Sequence, residues 1–169
     1  MVAVILLSGA SSAGKTSVVV ELTRLLGPDR TTVTGFDAVL ARVRSRHLLV
    51  LRRTKLLVAA HKQAVRAASP GRHVVIDTTL MTRGALEDAG LRLRGQLGAL
   101  FVGVKPPLEV SERWESLRGD RPAGHARRHY QLVHYDLAPQ YDLVLDTSRM
   151  TPAEAAQRVM RRLTDAPTG

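Results

Sequence analysis

Gly9-Ala10-Ser11-Ser12-Ala13-Gly14-Lys15-Thr16 follows an apolar run, residues 3–7, and opens a segment of helical composition, residues 15–26. The octapeptide matches G-x-x-x-x-G-K-[ST] in full. Its two glycines let the backbone curl so that successive N–H groups point inward, and the helix that follows presents its N-terminus to the same anion. In such a loop the ammonium at Lys15 bridges the β- and γ-phosphates of a nucleotide, and the hydroxyl at Thr16 ligates Mg²⁺. The alternative is a merely structural glycine-rich turn. It does not account for a buried strand on one side and a helix on the other, which the phosphate-binding mechanism requires. A bound nucleotide is therefore expected, ATP with GTP as the alternative, together with Mg²⁺.

Outward from this loop, strand-like and helix-like segments alternate. The helix over 15–26 is stopped by Gly27-Pro28, and 31–34 is a short β-prone run. Residues 37–68 read as two helices, with Leu56, Ala60 and Ala64 facing inward and Arg52, Lys55, Lys62 and Arg66 on one side. Further strands are expected over 73–77, 99–104 and 141–146, and further helices over 83–96, 108–117, 125–134 and 152–163, the last capped by Thr151. Buried parallel strands are continuous apolar runs joined by helical crossovers. The pattern thus predicts an α/β fold, a three-layer α/β/α sandwich around a five-stranded parallel sheet. The length of 169 residues fits a single domain over 1–169. Ligands of such sheets bind at the carboxyl ends of the strands.

Two aspartates stand at such ends. Asp77 closes an apolar strand, where it can hold Mg²⁺; it can equally cap the next helix. Asp37 ends the second strand, where it can take the proton of a hydroxyl attacking the γ-phosphate, or cap a helix beginning at Ala38. Arg118-Gly119-Asp120-Arg121-Pro122 interrupts a helical stretch with a flexible glycine and a rigid proline. Arginines on such a loop suit a lid over the nucleotide, spanning 118–128 and with Arg127 and Arg128 just beyond the break. His125 and His129 have i, i+4 spacing, but the adjacent arginines and the lack of an H-E-x-x-H pattern argue against a metal pair. Trp114, the only tryptophan, is expected to pack rather than to stack on a ligand.

Composition narrows the partners. Lys and Arg number 25 against 15 acids, for a formal +10, and there is no cysteine. Disulfide scaffolds, thiolate metal sites and cysteine nucleophiles are excluded. The first residues lack a basic leader and the apolar run is too short to span a bilayer, so a cytoplasmic protein without membrane association is expected. Between Asp37 and Asp77 stand nine basic residues and no acid, so all but one unit of the net charge lies there. A polynucleotide- or RNA-directed kinase using this basic 38–76 interval is one reading of that charge. The interval contains no aromatic residue to stack on bases, which favours a small hydroxylated acceptor, itself anionic.

The phosphate loop, Asp37, the strand ending at Asp77, and Phe101-Val102-Gly103-Val104 resemble chloramphenicol phosphotransferase and its relatives. So do Arg118-Gly119-Asp120-Arg121 with Ala123-Gly124, Val133-His134, and Tyr141-Asp142 with Asp146-Thr147. The matches run in the same order over nearly the whole chain. The resemblance implies a fold like that of shikimate and gluconate kinases and a P-loop O-phosphotransferase acting on a small molecule, an antibiotic or a related metabolite. It implies Asp37 as general base, Arg118 near the adenine and Arg121 as the lid arginine at the phosphates. Thr78 stands where relatives often carry a second acid, and residues 38–72 show no resemblance.

Overall fold

The computed structural model describes residues 2–40, 49–118, 124–137 and 139–165. Five parallel strands, β1 (Val4–Gly9), β2 (Thr31–Gly35), β3 (His73–Thr78), β4 (Leu100–Val104) and β5 (Leu143–Leu145), form one sheet in the order β2-β3-β1-β4-β5. The central strand β1 is buried along its whole length, as a strand covered on both faces must be. Its side chains alternate between two cores. Ile5 and Leu7 pack with Val18, Leu22, Ala155 and Val159 of helices α1 (Lys15–Leu26) and α7 (Pro152–Thr164). Val4 and Leu6 pack on the opposite face with Leu57, Ala64 and Ala85 of α3 (Leu49–Ala67) and α4 (Arg83–Asp88). Each such fully buried aliphatic side chain contributes about 1.5–3 kcal/mol, so the three layers follow from period-2 alternation feeding two apolar faces.

The expected α/β/α sandwich is present, with local differences. The edge strand β5 is shorter than the 141–146 run suggested, and Val144 on it is half exposed. An expected helix over 83–96 is α-helical only as α4, and then widens into a π-helical stretch, Ala89–Gln96. The same happens after α6 (His125–Gln131), which continues as a π-helical turn over Leu132–Asp136. Composition does not distinguish the two helix types, because both bury an apolar stripe. On α3 the inward stripe is Leu57, Ala60, His61 and Ala64; Leu56, expected inside, is only partly buried. One residue of phase, 100° around the helix, makes that difference.

The chain leaves β1 for β2 and β3 on one side, then crosses to β4 and β5 on the other. The carboxyl end of β1 therefore opens between two diverging sets of loops. Register sets what meets there. Leu7 and Gly35 both lie opposite Asp77, and Ser8 lies opposite Thr78. The acid at the end of β3 is thereby held between the phosphate-loop strand and the strand that leads to Asp37. At the far end of the chain, Thr151 caps α7 as expected: its hydroxyl accepts from the Glu154 N–H at 3.2 Å, and Glu154 reciprocates on the Thr151 N–H at 2.7 Å.

Candidate active site

The loop between β1 and α1 is built on two left-handed residues, Ser12 at φ 58° and Gly14 at φ 83°. This alternation of hands turns successive backbone N–H groups to one side and makes an anion-binding concavity. At Gly14 a side chain is disfavoured by φ itself, which is the physical content of the second glycine in the motif. Lys15 arches back over the loop, and its ammonium donates to the Gly9 and Ala10 carbonyls at 3.1 and 2.8 Å. Two more hydroxyls brace the loop from outside. Thr79 Oγ1 donates to the Gly9 carbonyl at 3.0 Å and Thr147 Oγ1 to that of Ala13 at 2.8 Å.

Thr16, the first exposed residue of α1, points its hydroxyl at Asp77, donating to Oδ2 at 3.3 Å. The two residues expected to face Mg²⁺ are thus in contact across 61 positions of sequence. Their chemistry fits the ion. Mg²⁺ takes hard oxygen donors, usually one or two protein oxygens with phosphate oxygens and water completing its shell. No group of three His, Asp or Glu side chains that could cage a metal exists among the described residues. The helix-cap alternative for Asp77 does not hold. The residue lies inside β3, and the next helix, α4, is capped by Thr82, whose hydroxyl accepts from Ala85 N–H at 3.3 Å.

A cavity of about 570 Å³ opens over this pair. Its lining comes from the loop and the start of α1 (Ser11 to Ser17), from the end of β3 and the residues after it (Asp77, Thr78, Thr79 and Met81), from Phe36, Asp37 and Leu40, and from Arg53 of α3. Asp37 is exposed and sits in the first turn of the short helix α2 (Phe36–Leu40), not as a cap preceding a helix at Ala38. Gly9 and Ala10 do not line the cavity; they supply the carbonyls that hold Lys15. Arg118 ends α5 (Leu108–Arg118) at the cavity rim, whereas Arg121 lies outside the described residues, as does most of the expected lid.

Arg118 also borders a second, more apolar recess of about 390 Å³, lined by Val18, Trp114, Leu117, Thr147, Met150 and Pro152 and continuous with Ser12, Gly14 and Ser17 of the loop. Sequence reading missed it. Trp114, expected to pack inside, lines this recess half buried, and Leu117 is 79 % exposed there. The signal was available in Trp114-x-x-Leu117-Arg118, an apolar pair on the outward side of a helix with no core to cover.

His125 and His129 on α6 line the phosphate cavity, with ring centroids 5.4 Å apart. Their helix is fastened to α5 by Glu115, a buried carboxylate that accepts from the N–H groups of Gly124 and Ala126 at 2.9 and 2.6 Å. Arg127 adds a two-pronged contact to Glu112 at 2.7 and 3.0 Å. One turn further on, His134 is buried against Tyr130, and burial, reinforced by the positive charges of Lys105 and Lys15, lowers its pKa to about 4. It is neutral at physiological pH beside the phosphate-loop lysine.

The basic interval does not face the cavity as a block. Lys55, Lys62, Arg66 and Arg72 are exposed outside it, and Arg53 lines it. Arg42, Arg44 and Arg46, and the side chain of Arg52, lie outside what is described.

A family model described as chloramphenicol phosphotransferase-like protein matches residues 2–164. Among curated proteins none matches the chain in sequence. Solved structures share the fold. Shikimate kinase from Acinetobacter baumannii in complex with shikimate superposes with a TM-score of 0.72 at 13% identity, covering 100% of this chain and 97% of that one. The Mycobacterium tuberculosis APS kinase CysC in complex with AMPPNP and APS gives 0.70 at 20% identity over 97% and 98%. A gluconokinase from Sinorhizobium meliloti 1021 gives 0.69 at 15% identity over 96% and 91%.

Proposed function

Because the chain belongs to the chloramphenicol phosphotransferase-like family, we propose that it transfers the γ-phosphoryl group of ATP to a hydroxyl of a small molecule, with Asp37 as the general base. The observation that carries this reading is the convergence of three sequence-distant features on one cavity: the phosphate loop, the Thr16–Asp77 pair and Asp37.

The nucleotide's phosphates rest on the loop N–H groups, and Lys15 exchanges the Gly9 and Ala10 carbonyls for β- and γ-phosphate oxygens. The base occupies the recess between Trp114, Arg118 and Thr147. Thr16 and Asp77 would hold Mg²⁺, which would supply charge neutralisation at the transferring phosphate. The acceptor lies against Phe36, Leu40 and Met81 with its hydroxyl between Asp37 and the phosphorus. Asp37 takes the hydroxyl proton as the oxygen attacks, and Arg121 approaches from the lid to meet the charge that develops. Holding both reactants in one cavity supplies most of the rate in such reactions, because the transition state needs positioning and charge neutralisation rather than covalent chemistry. A cytoplasmic location, where ATP is abundant, is consistent with this reading. Chloramphenicol or another hydroxylated antibiotic is one candidate acceptor.

Asp37→Asn should lower turnover by about 10²–10⁴-fold, the usual range for loss of a general base, with ATP affinity kept within about twofold. Coupled ADP release reports the first and titration with a fluorescent ATP analogue the second. Unchanged turnover, or lost ATP binding, would remove Asp37 from this role. A second reading, a nucleic-acid-directed kinase, is favoured by the exposed cations Lys55, Lys62 and Arg66 on one side of α3. RNA or DNA binding that weakens steeply with salt would support it.

A further inference from the structure

We infer that the acceptor is a hydroxy acid and that Arg53 holds its carboxylate. This rests on the phosphotransfer reading above and names the class of molecule on which it acts. Of the interval's nine cations, Arg53 is the one whose described side chain enters the cavity. It stands in α3, which packs on α2, α4, β2 and β3, so it belongs to the wall that carries Phe36, Leu40 and Met81 and not to the phosphate loop. The nucleotide's own charges are met elsewhere, by the loop N–H groups, Lys15 and Arg118.

Arg53 is partly buried and forms no ion pair with any described residue. Elsewhere on this protein arginines do find carboxylates: Arg24 with Glu21, Arg92 with Asp88, Arg94 with Asp142, Arg127 with Glu112 and Arg149 with Asp146. A partly desolvated guanidinium without an anion is costly, and its fork of N–H donors matches a carboxylate in geometry. The absence of any acid between Asp37 and Asp77 removes local competitors for it. One guanidinium balances one negative charge, which favours a carboxylate over a phosphate dianion.

The two charged groups across this wall then divide the acceptor between them. Asp37 accepts the hydroxyl and repels the carboxylate; Arg53 attracts the carboxylate. A molecule bearing both groups is oriented at two points, which fixes the hydroxyl presented to the γ-phosphorus.

The test pairs each acid with a neutral counterpart: gluconate with glucose, shikimate with its methyl ester, and glycerate with glycerol. Chloramphenicol is added as a neutral antibiotic and glucose 6-phosphate as a phosphate ester. Phosphorylated product is read by mass. The expected result is at least one acid with kcat/KM about tenfold or more above its counterpart, as a lost charge-assisted hydrogen bond predicts. Arg53→Gln should bring that ratio to within about threefold of one, and Arg53→Lys should restore part of it. In a second measurement, the same acids should raise the Tm of the protein loaded with Mg²⁺ and AMPPNP, and Arg53→Gln should abolish the rise. Equal use of acids and neutral counterparts, preference for glucose 6-phosphate, or a preference that survives Arg53→Gln overturns the inference and leaves phosphotransfer standing. No product from any compound overturns phosphotransfer instead. The Tm measurement then decides Arg53 by itself: a rise lost in Arg53→Gln supports the carboxylate site, and no rise, or one kept by the variant, overturns it.

Discussion

At the residue scale, Gly35 shows how a backbone constraint sets chemistry. In register it lies beside Asp77, and a Cβ added to it would collide with the Asp77 carbonyl oxygen. The neighbour is backbone, so nothing flexible can give way. Gly35→Ala should destabilise the protein by about 1–3 kcal/mol, as overpacking does. It should also lower turnover by about tenfold to a hundredfold, because Asp37 two residues on and Asp77 itself are displaced together. Urea unfolding and steady-state kinetics measure the two effects. Gly90→Ala is the contrast: its Cβ would enter open space within a helical segment, and stability should stay level or rise by up to about 1 kcal/mol. The sequence marks both positions as glycine and does not distinguish them. Only strand pairing puts a carbonyl against one of them.

At the scale of elements, α6 enters the site through Glu115. Its carboxylate caps the helix N-terminus, where N–H donors and the helix dipole both favour negative charge. Glu115→Ala orphans two N–H groups, and a cost of about 1–3 kcal/mol should appear in urea unfolding. Because α6 carries His125 and His129 into the cavity, the same variant should also weaken ATP binding, read by titration with a fluorescent analogue. The helix beginning at His125 was legible in the sequence, while Gly119 and Pro122 lie outside the described residues. The fastening of that helix was not legible, since these bonds run from a side chain of α5 to backbone N–H groups at the start of α6, a contact that depends on how the two helices pack. The recess around Trp114 was missed for a related reason. A lone tryptophan on a helix reads as core until the facing elements, here the Thr147–Pro152 segment, turn out to leave a gap.

For the molecule as a whole, stability should depend on acid through its buried histidines. His134, 7 % exposed, titrates near 4 in the fold against an ordinary 6.5, so between those values the unfolded chain binds more protons. Its contribution is complete above about pH 6.5 and is lost as pH falls toward 4, to a total of about 3 kcal/mol. His61, fully buried with Nδ1 on Asp88 at 2.8 Å, is also lowered by burial and acts in the same direction. Urea midpoints at pH 7 and pH 4.5 should differ clearly in the parent and less in His134→Gln. What the sequence determined unaided was the phosphate loop, the alternation that makes a three-layer parallel sheet, and Asp77 near the end of its strand. Those are local properties, set by turn geometry, hydrophobic period and residue chemistry within a few positions. The tertiary structure decided the contact of Thr16 with Asp77, the position of Asp37 within a helix turn, and which of the basic residues reaches the cavity. Each depends on strand register or helix phase, where a shift of one residue turns a side chain from the site to solvent.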